Sequence, residues 1–174
     1  MNIDVHFSSD STEWRTPRDL FERLDQEFGF DLDACATPDN ALCDRYFSAK
    51  DDALSKDWSP STVFMNPPYG DPEAPCKPNC KKKKCERRGY HIAEYKPGIG
   101  DFVKKAYTES LAGATVVCLL PARTDTRWFH DYIYEKGEVR FLRGRVKFLQ
   151  GDGMSKNSAP FPSMIVVFRP PKNS

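Results

Sequence analysis

The chain contains no apolar run approaching the roughly 20 residues that a membrane helix needs. Met1 to Asp10 holds no basic stretch followed by an apolar core, so no secretory signal is visible and a cytoplasmic protein is expected. Net charge is small, +1 from 26 Lys and Arg against 25 Asp and Glu, and by itself favours no class of partner. No internal repeat is visible. Histidine is scarce, with three in the chain, and neither His6 nor His130 has an evident sequence partner. The glycine-rich signature of a common nucleotide-binding turn is missing, and so is any Cys-x2-Cys pair. What remains is an ordinary globular composition of 174 residues, 39% hydrophobic and 29% charged. It is neither disordered nor fibrous, and it suits one domain over residues 1–174 with a sizeable core.

Charge is concentrated where the total hides it. Residues 76–90 hold seven basic residues against Glu86, a net +6 in a chain of +1. Residues 136–147 hold Lys136, Arg140, Arg143, Arg145 and Lys147 against Glu138. Positive charge gathered on a near-neutral protein suits a face for a polyanion, although either run alone also reads as a solvated loop.

Periodicity alternates between helix and strand. Thr16-Pro17 reads as an N-cap followed by proline at the first helical position, with Leu20, Phe21, Leu24 and Phe28 at helical spacing and Gly29 as the stop. Phe30–Ala34 and Thr62–Asn66 read as short strands. Asp101 reads as the cap of a helix through Leu111, and Ala114–Leu120 as a strand buried on both sides. Asp125 caps a helix carrying Trp128, Phe129, Tyr132 and Ile133, which are read as core. Val139–Leu142, Val146–Leu149 and Met164–Phe168 are late strands, whose short connections allow antiparallel pairing. The pattern predicts an α/β three-layer domain with a largely parallel sheet. Residues 71–100, rich in Pro, Lys, Cys and Gly, read as an insertion.

Asn66-Pro67-Pro68-Tyr69 is the sharpest signal. It follows Val63-Phe64-Met65, at a strand's carboxyl end, where ligands gather in such sheets. Two prolines stiffen the exit from the sheet. Asn66 then offers a carbonyl acceptor, the carbonyl of Pro67 a second, and Tyr69 a flat face. Two acceptors beside an aromatic plane suit an exocyclic NH₂ on a heteroaromatic ring. Accepting both hydrogens draws the nitrogen lone pair out of conjugation and makes it nucleophilic. The plainer alternative is a proline-rich turn in which Asn66 braces its own loop.

In the insertion, Cys76-x3-Cys80-x4-Cys85-x5-His91 supplies four ligands of the type that structural zinc takes tetrahedrally. The alternative is a lysine-rich loop with reduced, unbound thiols. An insertion this polar has little core of its own and needs a staple. Lys81, Lys82, Lys83, Lys84, Arg87 and Arg88 would then sit on a rigid knob facing phosphate. Arg123, after the buried strand, and Arg143 and Arg145, about a tight turn, are further phosphate candidates. Ala159 to Ser163, with Phe161, reads as a wall of the pocket for such a ring.

From Trp14-Arg15-Thr16-Pro17, through Phe30-Asp31-Leu32-Asp33-Ala34-Cys35-Ala36 and Asn66 to Tyr69, to Leu119-Leu120-Pro121-Ala122-Arg123-Thr124 and Ala159-Pro160-Phe161-Pro162-Ser163, the chain resembles the phage-type, Dam-like DNA N6-adenine methyltransferases. The resemblance implies a Rossmann-like class I methyltransferase sandwich that transfers a methyl group from S-adenosylmethionine to adenine N6 in double-stranded DNA. The target base would be flipped out and stacked on Tyr69. It assigns Thr16 and Pro17 to the methionine end of the cofactor, and Asp33-Ala34-Cys35-Ala36, together with Asn66, to the cofactor turn, where Asp33 accepts from the α-ammonium. It assigns Asp51 or Asp52 to the cofactor's adenine. The short span from Ala34 to Asp52 implies an abbreviated ribose-binding strand. Phage origin and protection from restriction are implied as well. RNA-adenine or protein-glutamine methylation, or a non-catalytic zinc-containing nucleic-acid-binding module, are the competing expectations.

Overall fold

A computed structural model describes residues 14–150 and 156–172; Met1–Asp10 and His6 lie outside them. The first helix, α1 (Arg18–Phe28), buries Leu20, Phe21 and Leu24 and ends at Gly29, whose φ of 70° lets its N–H reach the Asp25 carbonyl. Its cap differs from the expected one. Pro17 occupies the N-cap position without a side-chain bond, and the Thr16 hydroxyl faces Asn66 instead.

Five strands form the main sheet in the order β1-β2-β3-β7-β4. β1 (Leu32–Asp33), β2 (Thr62–Met65) and β3 (Thr115–Pro121) run parallel; β7 (Ser163–Phe168) is antiparallel to β3 and to the edge strand β4 (Glu138–Phe141). Beyond β1 the sheet shrinks to a single bridge between Asp33 and Tyr46, which is where the chain is too short for a full strand. A separate ribbon pairs β5 (Lys147–Leu149) with β6 (Lys156–Ser158), and Leu149 bridges back to Arg15.

Register shows which helix covers which face. Phe64 pairs with Val117 and Val117 with Val167, so these three share a face; Val63, Val116 and Phe168 share the other. Phe21 of α1 meets Phe64 edge-on at 5.2 Å. Tyr107 of α3 (Ile99–Leu111) meets Phe168 at 6.0 Å. The two helices therefore lie on opposite faces, which makes three layers. β7 is buried throughout and β3 from its second residue on, as strands covered on both sides must be. Two elements differ from expectation. Phe129–Ile133 is a π-helical turn rather than a regular helix, and Asp101 caps α3 from its third position by accepting from Gly98 N at 2.9 Å.

The insertion leaves β2 just after Tyr69 and returns at α3. Its neck is stitched by Ile99 N to Gly70 O and by reciprocal bonds between Glu73 and Lys96, each 2.9 Å. Gly98 packs so close that an added Cβ would lie 2.2 Å from Pro72 N. Inside are a short helix, α2 (Lys83–Arg88), and only two buried residues between 71 and 97, Glu73 and Cys85.

Candidate active site

Thr16 at the entry to α1, Asp33 at the end of β1, Asn66 at the end of β2 and Leu119 in β3 are brought to one edge of the sheet. Asn66 is fixed on both sides of its amide. Nδ2 donates to the Trp14 carbonyl at 2.6 Å and to Thr16 Oγ1 at 3.0 Å. On the other side the Tyr69 hydroxyl donates to Oδ1 at 2.6 Å, with the Leu119 carbonyl 3.1 Å away as its second acceptor. Burial pushes the Tyr69 phenol well above its ordinary value, so it stays a proton donor. Arg123, just past the end of β3, donates from Nη1 to the Tyr69 carbonyl at 2.9 Å and so braces the loop.

Four rings close around this corner. Tyr69 lies edge-on to Phe148 and Phe161, with centroids 6.3 and 5.7 Å away, and Trp14 lies edge-on to the same two at 5.3 and 5.2 Å. Phe161 packs here as one ring of the cluster, while Trp14 and Phe148 join it through the Arg15–Leu149 bridge, which periodicity alone does not reveal. The open flat face expected of Tyr69 is not present in this arrangement. The ring is 5% exposed because the aromatic cluster covers it. Clefts of 390 and 210 Å³ flank Leu42 instead, and neither is lined by Asn66.

Asp33 is buried, with one carboxylate oxygen accepting from Cys35 N at 3.3 Å and the other from Leu42 N at 3.1 Å. Burial pushes its pKa up to about 6, against the smaller opposing pull of those two amides. A carboxylate so placed gains from a cationic ligand. Ala34 and Ala36 are buried beside it and present only methyl groups, which leaves room for close approach. Cys35 is an inert filler, its thiol raised well above normal by burial. Asp51 is spent locally, since one oxygen accepts from Ser48 N at 2.7 Å and Ser48 Oγ at 2.9 Å. Asp52 is exposed in a left-handed turn between two 3₁₀ segments.

The cysteine cluster assembles as the spacing suggests. The ligand atoms of Cys76, Cys80, Cys85 and His91 lie within 4.8 Å of one another, and Sγ of Cys85 is 3.6 Å from that of Cys76 and 3.7 Å from that of Cys80. These are far beyond a disulfide of about 2 Å. They match the edge, about 3.8 Å, of a tetrahedron with metal–sulfur bonds of about 2.3 Å. Hydrogen bonds, first from the Ile92 backbone and then from His91, bring the Cys76 thiol down to about 6, towards the thiolate a metal needs.

Not every basic residue faces outward. Arg88 is the clear exception to the expected phosphate surface: its side chain is 4% exposed, pairs with Glu73 at 2.9 Å, and reaches Cys85 Sγ at 3.4 Å. A guanidinium inside a small module has to be paired, and Glu73, which the sequence does not single out, pairs it. Glu73 also takes Lys84 at 3.0 Å, and both contacts hold its carboxyl down at about 2. Lys81, Lys82, Lys83, Arg87, Arg143 and Arg145 are exposed. Arg123 points to the loop rather than outward.

Residues 6–174 match the family model described as DNA N-6-adenine-methyltransferase (Dam). Among curated relatives, the DNA N-6-adenine-methyltransferase of Haemophilus phage HP1 is 28% identical over 167 residues, covering 93% of this chain and 81% of that protein. That of Escherichia phage T1 is 26% identical over 171 residues, covering 85% of this chain and 60% of that protein. A solved type I restriction-modification methyltransferase subunit from Streptococcus thermophilus aligns with 97% of this chain and 47% of its own, at 15% identity and a TM-score of 0.43.

Proposed function

The chain belongs to the Dam family of DNA N-6-adenine-methyltransferases, and from that premise we propose that Asn66 to Tyr69 present the N6 amino group of a flipped adenine for methylation. The observation that carries this is the orientation of Asn66, whose Oδ1 already receives a hydrogen-bond donor, the Tyr69 hydroxyl. An adenine amino group is a donor of the same sign. Asn66 Oδ1 and the Pro67 carbonyl accept its two hydrogens and turn the nitrogen lone pair outward. A base inside a duplex cannot reach this corner, so it leaves the stack and enters against Tyr69 as the aromatic cluster opens.

S-adenosylmethionine, when bound, supplies an electrophilic methyl group carried on a sulfonium. The donor set suits it: the buried Asp33 carboxylate for its α-ammonium, Ala34, Cys35 and Ala36 for close backbone approach, and Thr16 and Pro17 alongside. With Asp51 committed to Ser48, Asp52 is the aspartate left for the cofactor's adenine. The Cys76, Cys80, Cys85 and His91 set suits one structural zinc, which supplies cross-linking and no open coordination position. Lys81, Lys82, Lys83, Lys84 and Arg87 on that knob, with Arg143 and Arg145, contact the phosphates of duplex DNA. The setting is the cytoplasm of a host carrying phage-derived genes, and protection from restriction is the fitting role.

The test is transfer of labelled methyl from S-adenosylmethionine to unmethylated duplex DNA. Label is expected as N6-methyladenine, and Asn66→Ala should lower the rate by about a hundredfold or more, the scale of losing one oriented electrostatic contact to the reacting group. Cofactor binding with transfer only to RNA or protein would refute the DNA reading. Absence of cofactor binding would refute the enzyme reading in favour of a binding module.

A further inference from the structure

A primary amide at a strand end has two orientations related by a half-turn, and only one turns Oδ1 towards an incoming amino group. The Trp14 carbonyl decides between them here. It can only accept, so the group 2.6 Å from it must be the Asn66 nitrogen. Thr16 Oγ1 takes a further amide contact at 3.0 Å, and Thr16 is itself buried at the foot of α1. The carbonyl oxygen is thereby sent to the far side, where it meets Tyr69.

Among the described residues, Thr16 is the one side chain that takes a hydrogen bond from the nitrogen. The Thr16–Pro17 step fixes its position, since Pro17 (φ −61°, ψ 137°) turns the chain from Trp14 into α1. Resting on the reading of Asn66 as the amino-group acceptor, we propose that Thr16 is a positioning residue of the transfer step: its hydroxyl, together with the Trp14 carbonyl, locks the Asn66 amide with Oδ1 towards the substrate. Without the hydroxyl one of two anchors is lost, and the amide samples an orientation that points N–H groups at an amino group, donor against donor.

The test compares Thr16→Val, which keeps the shape and removes the oxygen, with Thr16→Ser, which restores it. Cofactor affinity, DNA affinity and the single-turnover rate with both saturating are measured for each. Thr16→Val is expected to slow the step about tenfold, the scale of one lost hydrogen bond, even with the cofactor saturating, so that the loss is not one of cofactor affinity, and Thr16→Ser is expected to restore the rate. A Thr16→Val protein that binds cofactor poorly yet transfers at the normal saturated rate would overturn the proposal, making Thr16 a cofactor contact only. An unchanged protein would overturn it equally. Should Thr16→Val fail to fold, NMR of the Asn66 side-chain NH₂ in the wild-type chain decides: both protons slowed in exchange supports the lock, and free exchange refutes it. Asn66→Ala is run beside these. Full activity there removes the acceptor reading itself, whereas retained activity in Thr16→Val alone removes only the role of Thr16.

Discussion

The corner around Asn66 and the insertion that begins five residues after it are held by opposite means. Asn66 is set by neutral hydrogen bonds to Trp14, Thr16 and Tyr69, inside a wall of aromatic rings and on a sheet with both faces covered. The insertion has almost no apolar interior. Its order comes from the Glu73–Arg88 pair, the Glu73–Lys96 neck and the four metal-type ligands. A corner that must orient one amide needs the rigidity of a packed core, because small displacements cost rate. A surface that grips phosphate needs exposed charge, and exposed charge leaves no area for burial. Ion pairs and a cluster of metal-type ligands resolve that conflict, and they allow the two regions to be perturbed separately.

The sharpest separation comes from Glu73→Gln. It leaves the Arg88 guanidinium buried without its anion, a loss of about 3 kcal/mol given that the module is thin and partly solvated. Amide exchange should speed up across residues 73–96 while β3 and β7 stay protected. Gly98→Ala acts at the neck, where a Cβ would lie 2.2 Å from Pro72 N and no side-chain movement relieves the clash. About 2 kcal/mol of local destabilisation is expected, read as metal lost at lower chelator concentration.

A smaller effect probes the corner. Burial raises Asp33 to about 6 in the fold from an ordinary value of 3.8. A carboxyl with a raised folded pKa stabilises the fold below its unfolded pKa and loses that contribution as pH rises to about 6. A cationic ligand has the reverse preference and favours the ionised form. Affinity for S-adenosylmethionine should therefore increase as pH rises through about 6 and level off above it, and calorimetric titration of the wild type and Asp33→Asn should show this slope only in the former. The smallest effect is on the knob. Lys82→Ala and Lys83→Ala should each reduce the salt dependence of duplex binding by about one phosphate contact, with the saturated transfer rate unchanged.

Much of this was readable from the sequence because it is local. Leu20, Phe21 and Leu24 mark α1, the run from Ala114 marks β3, and the cysteine spacing foretells which four side chains meet. What was not legible depends on distant partners. Nothing near Glu73 says that it will bury Arg88, and nothing near Thr16 distinguishes a helix cap from an anchor for an amide 50 residues away. The covering of Tyr69 by Phe148 follows from a bridge between Arg15 and Leu149, at opposite ends of the chain. The short helix at Lys83–Arg88 carries no apolar stripe, so periodicity could not announce it.

The most direct test is hydrogen exchange across the chain before and after zinc is removed by a chelator at neutral pH. Loss of protection confined to residues 73–96, with β2, β3 and β7 unchanged, is the predicted result. Exchange that speeds up throughout the sheet, or that changes nowhere, would contradict the proposal that a metal and the ion pair hold the insertion while the core holds the corner around Asn66.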